Sequence, residues 1–184
     1  NPSGQKIDPI RQPSKKPVIY LYNNEKIDAS LQLKYKGDLT FTYPRYDKGW
    51  TVSVDQNGIL SNGKTYPYLF WEGEMEGLKF ARNNQHKIPS SIVQTEKVVT
   101  YLETELTAMG LNQKEITDFI TFWGPGMERY ESVAIQFFID EVYADKIATI
   151  KVAPTPNSSK RIYMIYTPIT KENRGQFVDV ETKY

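Results

Sequence analysis

The sequence predicts an α+β fold: antiparallel β-sheets in a sandwich-like arrangement, with an αα-hairpin inserted at about residues 96–123. Three observations predict it. Apolar and polar residues alternate at a spacing of two through much of residues 18–71, the pattern of half-buried strands. The spacing changes to three and four over residues 96–123, as on an amphipathic helix. Strand-like apolar runs return after residue 132. Strands, a helix pair and strands again fit sheets with helices packed on one face or end, and no repeat of solenoid or propeller length is present.

The elements follow in order. Residues 1–17 carry Pro2, Pro9, Pro13 and Pro17 without hydrophobic periodicity, and read as an extended arm because proline fixes φ and removes a donor. Val18-Ile19-Tyr20-Leu21-Tyr22 is a continuous apolar run of strand length. Ala29, Leu31, Leu33 and Tyr35 alternate with polar residues; Lys36-Gly37-Asp38 turns the chain, and Leu39, Phe41 and Tyr43 alternate in the return strand. Gly49 to Val54 repeats the pattern, and Asn57-Gly58 and Asn62-Gly63 are hairpin dipeptides. Tyr66 to Trp71 reads as one strand whose Pro67 sits at an edge or bulge. Val98, Val99, Leu102, Leu106 and Met109 form the first helical stripe, with Thr95 as N-cap and Gly110 as the left-handed stop. Asn112 and Glu115 have capping-box spacing; Ile116, Phe119, Ile120 and Trp123 line the second helix, and Gly124-Pro125-Gly126 is expected to end it. Residues 132–139, 147–152 and 161–167 are further strands. Residues 18–169 thus read as a single domain, followed by a tail at 170–184 in which Phe177, Val178 and Val180 fit a last strand.

Composition excludes several functions. The chain has 184 residues and no cysteine, which removes disulfides, thiol nucleophiles and thiolate metal sites. Lys and Arg number 23 against 22 Asp and Glu, a net charge of +1. A nucleic-acid surface concentrates basic charge, and only Arg11, Lys15 and Lys16 cluster here, so no nucleic-acid partner is expected. No apolar run approaches the roughly 20 residues of a membrane span. The chain opens on Asn1-Pro2 rather than Met, which fits a processed or trimmed form.

Several longer motifs point to a family. Lys16-Pro17-Val18-Ile19-Tyr20-Leu21-Tyr22 resembles the opening of a widespread, mainly bacterial family of uncharacterised proteins. Tyr43-Pro44-x-Tyr46-x-x-Gly49-Trp50 and Tyr68-Leu69-Phe70-Trp71-Glu72-Gly73 resemble two later signatures of that family. Gly110-Leu111-Asn112, Glu115, Asp118-Phe119-Ile120, Trp123, Pro125 and Met127 resemble a third. The resemblance covers about residues 16–168 and departs from the family at Asn23, where proline is usual. It implies no activity, cofactor or residue role.

Candidate chemistry is sparse. Glu72 follows Phe70-Trp71, and a carboxyl in apolar surroundings beside tryptophan would have its pKa raised towards general-acid range. Asp118, Glu128 or Asp140 would be the second carboxylate of a glycosidase pair; the simpler reading makes Glu72 a hydrogen-bond acceptor in the core. His86, the only histidine, lies in an amide-rich stretch read as a solvated loop, so zinc sites and histidine triads are not expected. Asp55-x-Asn57-Gly58 lacks the remaining ligands of a calcium loop, and Gly73, Gly77 and Gly124-x-Gly126 are followed by no Gly-Lys-Ser/Thr. No metal or cofactor is expected. The 13 Tyr, 8 Phe and 3 Trp supply either a two-faced core or exposed rings for sugars or protein partners. Asn157-Ser158-Ser159 has the N-glycosylation spacing.

The binding candidates are Trp50, Tyr68, Trp71 and Glu72. The leading expectation is a non-enzymatic structural or binding domain, secreted or on the cell surface, that meets proteins, including copies of itself, through its terminal extensions. The alternative is a carbohydrate-binding or glycoside-hydrolysing module using Glu72 and exposed aromatics.

Overall fold

The computed structural model describes residues 18–74, 88–138 and 148–180. The arm at 1–17, Gly77, His86 with its loop, Asp140 and residues 181–184 lie outside the described residues. Twelve strands and two helices are described: β1 (Val18–Tyr22), β2 (Ile27–Tyr35), β3 (Asp38–Tyr43), β4 (Trp50–Asp55), β5 (Gly58–Ser61), β6 (Lys64–Tyr66), β7 (Leu69–Glu74), β8 (Ile88–Gln94), α1 (Val98–Ala108), α2 (Gln113–Met127), β9 (Ser132–Phe138), β10 (Ala148–Ala153), β11 (Ser158–Pro168) and β12 (Phe177–Asp179). The protein is therefore β-rich, with open sheets and few helices. Its strands fall into two compact units, one holding residues 18–74, 138 and 148–163, the other 88–137 and 164–180.

The first unit contains an open five-stranded sheet in the order β10-β2-β4-β5-β6. Its alternation is that of the sequence: Ala29, Leu31, Leu33, Trp50, Val52, Val54 and Ile59 are buried. Asn62 at φ 50 and Gly63 at φ 73 turn β5 into β6 with the positive dihedrals such a two-residue hairpin needs. The unit's second run of strands places β7 between β1 and β3, with the first part of β11 on the other side of β1. Val18 to Leu21 are all buried, as a continuous apolar run flanked on both edges should be. β1 packs against β4 and β5.

Tyr46 closes a gap in this unit. β2 outruns β4, whose pairing stops at Leu31 opposite Trp50. On that side the backbone of Leu33 meets the Tyr46 hydroxyl instead, which accepts from the Leu33 N–H at 3.1 Å and donates to its carbonyl at 3.2 Å. The Trp50 Nε1–H donates to the Pro44 carbonyl at 2.8 Å, and the Tyr46 and Trp50 rings meet edge to face at 4.7 Å. The motif from Tyr43 to Trp50 is thus a folding device: one phenol does the work of a strand partner.

Two expectations about this unit are corrected. Tyr66 to Trp71 is not one strand: it divides into β6 and β7 around Pro67-Tyr68, since proline offers no N–H to a ladder. In β3 the alternation of Leu39, Phe41 and Tyr43 does not mark a buried face. A bulge shifts the pairing from Leu39 opposite Gly73 to Phe41 opposite Glu72, and a one-residue shift exchanges faces.

The second unit pairs β8 antiparallel to β9 and, on its other side, β12 parallel to β8. This sheet is therefore mixed, not purely antiparallel. Ile169 N–H donates to the Ser132 carbonyl at 2.9 Å. α1 and α2 pack on one another. Their link is fixed by the Gly110 N–H donating to Thr107 at 2.8 Å and Leu111 to Leu106 at 3.0 Å, with Gly110 at φ 78: the Schellman arrangement. The Asn112–Glu115 capping box forms in both directions, at 3.0 and 2.8 Å.

The helix ends differ from expectation at two places. Thr95 does not cap α1: a 3₁₀ turn at Thr95–Lys97 precedes Val98, and the Thr95 hydroxyl donates to the Tyr130 carbonyl. Gly124-Pro125-Gly126 does not end α2, which continues to Met127, and Glu128 N–H still reaches the Gly124 carbonyl at 3.1 Å. Proline costs a helix one donor but permits it to continue where packing compensates. Here Gly126 leaves room for the Tyr166 hydroxyl, which would stand 2.9 Å from a Cβ at that position. Trp123 meets Tyr166 edge to face at 6.1 Å.

Tyr46→Phe should leave both backbone groups of Leu33 unpaired and lower stability by about 1–3 kcal/mol. Urea unfolding measures it; an unchanged midpoint would show that the phenol is not the partner on which β2 relies.

Candidate functional site

The pleat of β7 sorts its residues between two environments. Leu69, Trp71 and Gly73 are buried, while Phe70 and Glu72 are half-buried on the opposite face. Successive side chains in a strand point to opposite sides. Trp71 and Glu72 therefore do not share surroundings, and adjacency in sequence does not give Glu72 a tryptophan wall.

The inner face is sealed. Trp71 is 2% exposed and its ring lies 4.9 Å from that of Tyr35. Tyr35 also lies over Gly73, where an added Cβ would stand 2.3 Å from Cε1 of the ring and 2.8 Å from the Asp38 carbonyl. That explains the glycine in the Trp-Glu-Gly motif: no side chain fits under the ring. Among the described residues, neither the Tyr35 hydroxyl nor the Trp71 Nε1–H has a hydrogen-bond partner. Burial pushes the Tyr35 hydroxyl above its ordinary value of 10.0, and the Tyr163 hydroxyl adds to the shift.

The outer face is open at β3, which has a neighbour on one side only among the described strands. Phe41 is 54% exposed and Tyr43 53%. Register places Tyr43 opposite Phe70 and Phe41 opposite Glu72, so the four side chains share one face of adjacent strands. Phe41 and Phe70 lie 5.9 Å apart, and Tyr43 meets Tyr66 edge to face at 5.4 Å. Asp38, opposite Glu74, continues the row with an exposed carboxylate. The result is a strip that is aromatic at one end and acidic towards the other, beside a strand edge that no other described strand pairs.

The sequence-derived candidates divide accordingly. Trp50 is 3% exposed and, like Trp71, belongs to the core. Tyr68 is half-buried and stacks edge to face on Tyr20 at 5.6 Å. Glu72 alone lies on the open strip. Tyr20 and Tyr163 are buried, as the two-faced core reading of the tyrosines expects. Of the carboxylates named as partners for Glu72, Asp118 and Glu128 belong to the other unit's α2 and its C-cap. Phe41 and Tyr43 are the exposed rings of this strip, and sequence reasoning missed them because a bulge reversed the face on which they appear. Among the described residues no group of His, Asp or Glu could hold a metal ion, and no helix is long and apolar enough to cross a membrane.

Two measurements check this geometry. Gly73→Ala should cost about 1–3 kcal/mol by forcing a Cβ into the Tyr35 ring; no loss on urea unfolding would mean the ring is not there. Tyr35 carries a pH signature. Its folded-state value is raised, so stability tied to the protonated hydroxyl is complete below about pH 10 and is lost as pH rises through the folded value. Tyr35→Phe should be as stable as the parent at pH 7 and lose less above pH 10. An equal alkaline loss in both proteins would contradict the burial of that hydroxyl.

No family model matches the chain, and no solved structure matches it. It is 46% identical over 63 residues to a Butyrivibrio fibrisolvens protein described as "Uncharacterized protein in bglA 3'region". The match takes in 32% of this chain and 66% of that protein, so the chain spans just under two thirds of the relative's length. What the comparisons give is thus a similarity to an uncharacterised protein.

Proposed function

We propose that this chain is a non-enzymatic binding domain that holds an extended protein segment along β3. The observation that carries the reading is the pair of half-exposed rings, Phe41 and Tyr43, on a strand whose second edge has no partner among the described strands. Burying an aromatic side chain contributes about 1.5–3 kcal/mol. A free strand edge adds unpaired backbone donors and acceptors, which an extended peptide can satisfy as an added strand. Rings supply affinity in such a complex and the ladder supplies alignment. In this reading the partner is a protein, copies of the chain included, met outside the cell or at its surface. The two sheets pack as a sandwich with α1 and α2 as an inserted hairpin. The chain belongs to the widespread, mainly bacterial family whose motifs it resembles.

Carbohydrate is the second reading. Phe41 and Tyr43 beside the Glu72 carboxylate provide stacking surfaces and an acceptor on one face, as sugar sites use. The hydrolytic version assigns Glu72 the acid role but needs a second carboxylate about 5–9 Å away.

Strand-forming peptides selected by display against the full chain, and then measured by calorimetry, separate the readings. The protein reading expects binding that falls at least tenfold in Phe41→Ser/Tyr43→Ser, with unchanged melting, and that fails when the peptide backbone is N-methylated. Binding indifferent to both changes would sink it. Glycan binding lost in the same double variant, with no peptide bound, would favour the carbohydrate reading.

A further inference from the structure

We infer that the segment held at the β3 edge is β3 of a second copy of this chain, paired antiparallel about a two-fold axis at Thr42. The inference rests on the reading of this face as a segment-binding surface and names its occupant. Three observations carry it.

The first is the placing of the rings. A two-fold contact joins the same patch on both copies, so residue i meets j and j meets i. With the axis at Thr42, Phe41 stands opposite the partner's Tyr43, and Tyr43 opposite the partner's Phe41. Both rings belong to the open face and are half-exposed in the single chain. Opposed aromatic side chains are among the pairs that stabilise adjacent strands. An axis at Phe41 or at Tyr43 would set one ring against its own copy and leave the other without a ring.

The second is the order of charges. Lys36 and Asp38 stand at the start of β3, Arg45 and Asp47 just past its end, and all four are exposed. Along the chain their signs read plus, minus, plus, minus. An antiparallel second copy reverses that order and sets each charge beside its opposite. The bulge decides which charges meet, because it makes Asp38 the next side chain after Phe41 on the open face. Arg45 is exposed two residues past Tyr43, with the buried Pro44 between them. Asp38 thus meets the partner's Arg45, and Lys36 the partner's Asp47, at both ends. Complementary charges at the rim of a contact fix its register and disfavour wrong partners. A second copy carries the matching pattern by symmetry.

The third is the edge itself. β3 pairs on one side only among the described strands. Edge strands are commonly blunted by lysine or proline within the strand. From Asp38 to Tyr43 there is neither. The bulge lies off the axis, and Phe41, Thr42 and Tyr43 keep a regular register with β7.

Sedimentation of the full chain, carried up to millimolar concentration, should show a dimer. Asp38→Arg and Arg45→Asp should each weaken it by on the order of tenfold, because each lost ion pair occurs twice and a repulsion replaces it. Mixed in equal amounts, the two variants should associate with one another, since each reversed charge then faces an opposite one. The double variant Asp38→Arg/Arg45→Asp should regain the dimer alone. In the parent, a mixture of isotopically labelled and unlabelled copies should give nuclear Overhauser contacts between Phe41 of one copy and Tyr43 of the other. A monomer at every concentration, a dimer indifferent to both reversals, or variants that fail to associate when mixed would overturn the inference. Intermolecular contacts centred on another strand would do the same. If the chain stays monomeric while selected peptides bind in a Phe41- and Tyr43-dependent way, the surface stands and only its occupant changes. If neither binds, the surface reading falls with it.

Discussion

The pleat of β7 is the constraint on which the first unit depends. One short strand supplies Leu69, Trp71 and Gly73 to a sealed interior and turns Phe70 and Glu72 the other way. The inner set fits because Gly73 yields its space to the Tyr35 ring, which lies on Trp71. The outer set has no such cover at β3. A shift of one residue would carry Glu72 inward without a partner and Trp71 out to solvent, a cost that fixes the register. The bulge in β3 then decides what stands beside Glu72: with it, Phe41 lies opposite that carboxylate.

Seen this way, the signature motifs are chiefly structural. Tyr46 satisfies the Leu33 backbone, Trp50 anchors the Pro44 carbonyl and Gly73 admits Tyr35. Asn112 and Glu115 cap α2, and Gly126 makes room for Tyr166. Motifs that fix a scaffold leave function to what the scaffold exposes, here the aromatic and acidic strip.

Much of the fold was legible because period and turn chemistry are local signals. Val18 to Tyr22, the alternation from Ala29 to Leu33, the Asn-Gly hairpin at 62–63 and the Asn112 capping box all form as their spacing predicts. The failures share a cause, which is that non-local contacts choose between local options. Pro125 stays inside α2 because the helix packs around Tyr166, and Thr95 turns to the Tyr130 carbonyl instead of capping α1. The candidate site was less legible still. Alternation reports that a strand has two faces but not which is inward, and the bulge before Phe41 leaves no mark in residue type. Trp50 and Trp71 drew attention as aromatics, yet both are buried, and Phe41 and Tyr43 are the most exposed rings among the described residues.

The central claim is that the β3–β7 face is where this protein meets a partner segment. Amide chemical shifts of the labelled full chain, followed as a selected peptide is added, address it residue by residue. The account predicts shifts concentrated on Asp38–Tyr43 and Phe70–Glu72. Shifts centred instead on β12, on the helices or on the β10 edge would place binding elsewhere and contradict it.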